Sequence, residues 1–159
     1  MNESPLRSLL IFTDETVEAQ RGLEKLLSDV FTRMGYEVLA YDLYQLRERK
    51  ADLGEIIDLV KPQTVLWQLS LPFEQRLKEF LDAEKLKPKG GTVPRFILLS
   101  PVDENIIDRT LERRFGDSNK REIVTMPFDA GELFRIVANE PKIEIEPREI
   151  QTRIGKERK

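Results

Sequence analysis

Five polar side chains stand in or directly after short apolar runs, and they are the residues best placed to do chemistry. Thr13, Asp14 and Glu15 follow the apolar run at 9–12, Gln68 lies in the run at 64–69, and Ser100 follows the run at 95–99. The two carboxylates could hold a hydrated Mg²⁺ through oxygen. Asp14 could instead accept hydrogen bonds from loop amides or cap the first helix.

Residue types that the chain lacks narrow this chemistry further. It has no cysteine and no histidine, which excludes a thiol nucleophile, a thiolate metal site and an imidazole base. Asp14, Glu15 and Ser100 alone include no base placed to activate a nucleophile. We therefore predict that the protein is not an enzyme and that it carries no cofactor.

Composition indicates an ordinary globular protein. The 159 residues are 40% hydrophobic and 35% charged, with a formal net charge of −3, which suits one domain with its own core. Dispersed basic residues give no support for nucleic-acid binding. No apolar run approaches the roughly 20 residues that span a membrane, and the N-terminus lacks the apolar core of a signal peptide. We expect a cytoplasmic protein that contacts neither membranes nor nucleic acid.

The hydrophobic pattern alternates strands with amphipathic helices, five times over. Continuous apolar runs are typical of strands buried on both faces of a parallel sheet, and helical spacing of apolar residues follows each run. The predicted strands are 9–12, 37–41, 64–69, 95–99 and 122–126; the predicted helices occupy 17–34, 53–60, 73–81, 106–115 and 129–138. This order predicts a doubly wound α/β domain.

Two segments lie outside this repeating pattern. Residues 43–50, LYQLRERK, form an insertion before the second helix, interpreted either as a partner contact or as a solvated loop or extended helix start. Residues 141–159 form a charged tail, which we separate from a domain at 5–140.

Four landmarks in chain order resemble the receiver domain of response regulators. They are Thr13-Asp14-Glu15 after the first strand, the segment VLWQLSLP around Gln68, Ser100 ending the fourth strand, and Met126-Pro127 after the fifth. The resemblance covers residues 5–140. It implies a flavodoxin-like fold with five parallel strands in the order 2-1-3-4-5 and a site at their carboxyl ends.

Departures from the receiver pattern imply that its phosphate chemistry is lost. Gln68 stands where the resemblance expects the phosphoaccepting aspartate, Met126 where it expects a lysine, and Thr13 where it expects the first acid. An amide cannot carry an acyl phosphate. Losing one anion and one cation together converts an ionic pocket into a nearly neutral one, so we predict a pseudo-receiver with at most weak Mg²⁺ binding at Asp14 and Glu15.

The resemblance also implies a protein-contact surface on the fourth helix, fifth strand and fifth helix. Arg109, Arg113 and Arg114, with Lys120 and Arg121 beyond, form a basic patch there, although a charged helix face is often merely solvated. The residues that we assign to this surface are Arg109, Arg113, Phe115, Ile123, Phe128 and Phe134. A homodimer could also use it.

Two functional hypotheses follow. The first is a phosphorylation-independent interaction module in bacterial signal transduction, whose partner is a signalling kinase, a regulator or a localisation factor. The alternative is a switch that responds to a small molecule or metal in the neutralised pocket near Asp14, Gln68 and Ser100.

Overall fold

A five-stranded parallel sheet forms the centre of the molecule. The computed structural model describes residues 7–14, 22–85 and 93–138. The strands are β1 (Arg7–Thr13), β2 (Tyr36–Asp42), β3 (Thr64–Gln68), β4 (Arg95–Ser100) and β5 (Glu122–Thr125). They are hydrogen-bonded in the order β2-β1-β3-β4-β5, and every neighbouring pair is parallel. The predicted fold class and strand order are confirmed.

Six helices connect or follow the strands in the described part of the chain. They are α1 (Gly22–Arg33), α2 (Leu43–Glu48), α3 (Leu53–Val60), α4 (Phe73–Glu84), α5 (Glu104–Phe115) and α6 (Ala130–Ala138). The part of the predicted first helix that precedes residue 22 lies outside the described residues.

The chain divides into two compact units, residues 1–128 and 129–159. The first contains the whole sheet and helices α1 to α5, and the second contributes α6 to the described residues. The boundary that we predicted between residues 140 and 141 lies outside the described residues and stays a prediction.

The apolar runs of the inner strands β1, β3 and β4 are largely buried on both sides, whereas the edge strands β2 and β5 are mostly half-buried or exposed. Alternate residues of a strand point to opposite faces, and four consecutive side chains of β1, Leu9 to Phe12, are at most 1% exposed. One face joins a continuous core with helices α2 to α5. Its buried members are Leu10, Phe12, Leu43, Leu46, Ile57, Val65, Trp67, Leu69, Leu77, Phe80, Leu81, Ala83, Leu98, Ile107 and Leu111.

Trp67 belongs to this core. Its ring meets Phe12 edge-on with centroids 5.1 Å apart and Phe80 with centroids 5.6 Å apart, the geometry that aromatic quadrupoles favour. The side chain is fully buried. Trp67 is therefore a packing residue that fixes β3 beneath α4 rather than a binding platform.

The insertion at 43–50 folds as a separate short helix, α2. The Asp42 side chain accepts a hydrogen bond from the Tyr44 backbone N–H and caps the helix, as short polar side chains do at helix starts. Leu43 and Leu46, three residues apart, are buried in the core. The interpretation as a solvated loop or an extended helix start is wrong, because α2 is separate from α3 and presents an apolar face inward.

Within the described residues, none of the helices has the length and the apolar character needed to cross a membrane.

Candidate functional site

The carboxyl ends of β1, β3 and β4 bring Asp14, Gln68 and Ser100 to one edge of the sheet. Asp14 follows the last residue of β1, Gln68 ends β3 and Ser100 ends β4. Because neighbouring strands are parallel, their carboxyl ends meet at the same edge. All three residues are buried, with exposed fractions of 2%, 8% and 0%. The predicted juxtaposition is therefore present in the structure.

The Asp14 carboxylate is held by two donors from other parts of the chain. Its Oδ2 atom accepts hydrogen bonds from Nη2 of Arg47 and, at 2.6 Å, from the Ser70 hydroxyl. Burial of an unpaired carboxylate is costly, whereas a paired and hydrogen-bonded one is tolerated. The partners differ from both roles considered from the sequence, because Asp14 accepts from a guanidinium and a hydroxyl rather than from loop amides or helix α1.

Arg47 belongs to α2 and joins Asp14 to α4. Its Nε atom donates to Glu79 Oε2 at 2.9 Å, and Arg76 Nη1 lies 3.4 Å from the same oxygen. Asp14, Arg47, Arg76 and Glu79 thus form a chain of two carboxylates and two guanidinium groups whose formal charges cancel. Their side chains are between 1% and 24% exposed, so water screens them only partly.

Gln68 has a structural role at this edge. Its side-chain Oε1 accepts a hydrogen bond from the backbone N–H of Asp14 at 2.7 Å, which ties the end of β3 to the segment after β1. A buried N–H without a partner would cost the fold about 1–3 kcal/mol. The amide therefore satisfies the backbone of the acidic segment.

The hydroxyl of Ser100 is engaged within its own turn. It donates to the Val102 carbonyl at 2.7 Å and accepts from the Val102 backbone N–H at 3.0 Å. Nearby, half-buried Met126 donates its backbone N–H to the Ser100 carbonyl at 2.7 Å.

Thr13 completes the group and is fully buried. Its hydroxyl lies 3.5 Å both from Glu24 Oε1 and from the Tyr41 carbonyl oxygen. Glu15 lies outside the described residues, so weak Mg²⁺ binding by Asp14 and Glu15 together stays a prediction.

The described residues at this edge offer few oxygen ligands for the metal ion of a working receiver, although the buried Oδ1 atom of Asp14 has no hydrogen-bond partner. Asp14 is the one carboxylate among Thr13, Asp14 and Gln68, and its Oδ2 atom is already bonded to Arg47. No cluster of three or more acidic residues in the described ranges is arranged to hold a metal ion. Among the described residues at this edge, the charge of Asp14 is compensated by the ion pair with Arg47, and the neutralised pocket stays a prediction.

Arg47 is the site residue that sequence reasoning missed. It lies 33 residues from Asp14 in a helix too short to show a full amphipathic period, so nothing local links the two residues. One indication was available: an acid at the end of a buried strand needs a nearby cation, and the inserted segment carries Arg47 beside the apolar Leu46.

The predicted contact surface is only partly exposed. Arg109 and Arg113 are exposed and line a groove of about 260 Å³ with Ile106, Thr110, Arg114 and, from α4, Glu74. Phe115 and Ile123 are half-buried and pack against the core cluster. Phe128 is also half-buried, and Phe134 belongs to the second unit.

Arg121 is not part of a free basic patch. Its guanidinium donates to Glu84 and to Asp117 at distances of 2.7 to 3.1 Å, and its side chain is 9% exposed. Burial opposes its charge, but the hydrogen bonds to Asp117 and Glu84 raise the pKa of Arg121 above its ordinary value. The hydrogen bond from Arg121 lowers the pKa of Asp117. The hydrogen bonds from Arg121 to Asp117 and Glu84 fix the loop between α5 and β5 to the end of α4.

Neither a protein-family model nor a curated protein matches the chain. Among solved structures, it is similar to the response regulator receiver domain (CheY-like) from Methylobacillus flagellatus. The TM-score is 0.52 at 16% sequence identity, and the similarity covers 84% of this chain and 98% of that chain. Together with the strand order, this similarity establishes that the chain has the fold of a CheY-like receiver domain.

Proposed function

We propose that this protein is a phosphorylation-independent pseudo-receiver that acts by binding another protein in signal transduction, without catalysing a reaction. The observation that carries the proposal is the ion pair between Asp14 and Arg47 at the carboxyl edge of the sheet. In this proposal, the ion pair occupies the place where a working receiver would bind a metal ion and a phosphoryl group.

Two features support independence from phosphate. Phosphoryl transfer depends on a positioned nucleophile and on cations at the transferred oxygens. Gln68 offers no carboxylate nucleophile, and its side-chain Oε1 atom accepts a hydrogen bond from the backbone N–H of Asp14. The cation at this edge is Arg47, which is already paired with Asp14 and Glu79. The Ser70 hydroxyl donates to the Asp14 carboxylate and is likewise engaged.

The contact surface that we propose centres on the exposed face of α5. Arg109 and Arg113 are four residues apart and therefore neighbours on one helix face. Neither has a carboxylate partner among the described residues, whereas Arg114 on the same helix pairs with Glu74. Unpaired guanidinium groups beside a groove favour an acidic binding partner, because complementary charge speeds encounter and fixes orientation.

An affinity-purification experiment tests this proposal. The tagged protein is used as bait in its native host, and proteins that it captures are quantified for the wild type, for Arg109→Glu/Arg113→Glu and for Gln68→Ala. We expect charge reversal to weaken capture of a specific partner roughly tenfold or more, and Gln68→Ala to leave it unchanged. Equal capture by all three proteins would contradict the proposed surface.

Phosphorylation itself is tested separately. The protein is incubated with Mg²⁺ and acetyl phosphate beside a working receiver domain, and both are weighed intact by mass spectrometry. We expect the added phosphoryl mass on the working receiver alone. A phosphoryl group on this chain would overturn the claim of independence.

A further inference from the structure

Two helix faces in the first unit carry complementary stripes of exposed residues. On α5, Ile106, Arg109 and Arg113 lie three and then four residues apart, which places them on one face. Ile106 is 45% exposed although it is apolar, and both arginines are exposed. We call these three residues the basic stripe.

The second set of exposed residues lies on α3. Leu59 is 77% exposed, the highest value among the large hydrophobic side chains of the described residues. Glu55, four residues earlier, and Asp52, the residue that caps α3, are also exposed. We call Asp52, Glu55 and Leu59 the acidic stripe. A leucine with this exposure gains little from packing against the described residues, and two exposed carboxylates precede it.

The two stripes match when the helices are antiparallel. The apolar residue is the first of the basic stripe and the last of the acidic stripe in chain order. In both stripes the farthest charged residue is seven positions from it, a distance of about 10 Å along a helix axis. Ile106 then meets Leu59, Arg109 meets Glu55, and Arg113 meets Asp52. Each charge finds its opposite while the two apolar side chains cover one another.

Among the described residues, Arg109 and Arg113 of the basic stripe have no carboxylate partner. Glu74, the acidic residue in the groove beside Arg109 and Arg113, is paired with Arg114 at 3.1 Å. In the acidic stripe, one oxygen of Asp52 accepts from the Glu55 backbone N–H, and its second oxygen can accept from a partner. Both stripes are thus available to a molecule outside the chain.

We propose that α3 of one copy of this protein docks antiparallel on α5 of a second copy through these stripes. Because the two stripes are different surfaces, the contact is head-to-tail, and each added copy leaves one free stripe at each end. The contact area of one helix pair is small, so association should be weak and should grow with concentration. It should also weaken with salt, since both ion pairs are exposed.

Sedimentation velocity at low salt, from micromolar to millimolar protein, tests the proposal. We expect the wild type to form a concentration-dependent series of oligomers. Arg113→Glu disables the basic stripe and Glu55→Arg disables the acidic stripe, so each variant alone should stay monomeric. Glu37→Arg makes the same change of charge as Glu55→Arg at an exposed position of β2 and should associate like the wild type.

A mixture of the two disabled variants gives the sharpest result. Arg113→Glu retains its acidic stripe and Glu55→Arg retains its basic stripe, so equal amounts should form a dimer that cannot grow further. A mixture that stays monomeric, or a wild type that stays monomeric throughout, would overturn the proposal. The contact shares Arg109 and Arg113 with the proposed partner surface, and Glu55→Arg distinguishes the two: it should lose self-association while it keeps the partner bound through α5.

Discussion

At the scale of the residue, the burial of Asp14 determines the arrangement around it. Its side chain is 1% exposed, and a carboxylate so far from water requires a cation and hydrogen-bond donors. Arg47 supplies the cation and Ser70 supplies a donor. In a receiver-like pocket whose lysine position holds Met126, the compensating positive charge thus comes from an inserted helix.

Replacing Arg47 by methionine should destabilise the protein strongly. Methionine keeps much of the side-chain volume but leaves Asp14 buried without its cation, a change that typically costs about 3–5 kcal/mol. We expect a loss of this order in the free energy of unfolding, measured by urea denaturation. Arg49→Met is the matched control, because Arg49 is exposed at the end of the same helix, and it should change stability by less than about 0.5 kcal/mol.

A double-mutant cycle shows whether the loss belongs to the ion pair. Adding Asp14→Asn to Arg47→Met removes the uncompensated charge, so the double variant should be more stable than the sum of the two single losses implies. Strictly additive losses would contradict a direct interaction between Asp14 and Arg47.

At the scale of the element, helix α2 positions Arg47 although the helix is only six residues long. Helices this short are marginal in isolation, and tertiary packing must stabilise them. Leu43 and Leu46 provide that packing, and Asp42 caps the first turn. The position of Arg47 therefore depends on the apolar face of its own helix.

Truncating the apolar face of α2 should loosen the pocket. Leu43 is 1% exposed, and Leu43→Ala should cost about 2–5 kcal/mol because it removes buried methyl groups and leaves a cavity. Amide hydrogen exchange over residues 43–48 should accelerate in this variant. Tyr44→Ala is the control on the same helix, since Tyr44 is 42% exposed; equal acceleration by both substitutions would contradict the anchoring role of Leu43.

The stabilising contribution of Asp117, which lies between α5 and β5, should depend on pH. The hydrogen bond from Arg121 lowers the pKa of Asp117 below its ordinary value of 3.8. A carboxylate whose pKa falls on folding stabilises the protein above its unfolded pKa, and this contribution disappears as the pH falls through the lowered folded pKa.

We therefore expect Asp117→Asn to be less stable than the wild type at neutral pH, with the difference shrinking in acid as Asp117 becomes protonated. Urea denaturation over a pH series measures this difference. Asp82→Asn serves as the control, because the pair of Asp82 with Lys78 is 63% exposed on both sides and contributes little. A difference for Asp117→Asn that does not change with pH would contradict the assignment.

How far the sequence predicts each element depends on the range of its interactions. The five strands follow from short apolar runs such as residues 9–12, because the apolar content of such a run is a local property of the sequence. The gathering of Asp14, Gln68 and Ser100 follows from the parallel order of the strands. Helix α2 and the contact of Arg47 with Asp14 could not be predicted, because six residues show no clear period and the pairing spans 33 positions.

At the scale of the whole molecule, the fold is that of a receiver domain, while Asp14 at the carboxyl edge of the sheet is paired with Arg47. The strand order and the similarity to a solved receiver domain describe the fold of the chain. The proposed activity then depends on exposed surfaces, with the α5 face for a partner protein and the α3 and α5 stripes for a second copy. Neither use requires a change in the pocket.

The most direct test of this account is an amide NMR titration of the labelled protein, first with Mg²⁺ and then with beryllofluoride, which mimics an acyl phosphate. Pairing of Asp14 with Arg47 predicts that the resonances of Asp14, Gln68 and Ser100 stay in place at both steps, while those of a working receiver domain shift under the same conditions. Shifts at these three residues that appear with Mg²⁺ and spread to α5 with beryllofluoride would contradict the central claim that the Asp14–Arg47 ion pair has replaced the receiver's metal and phosphate.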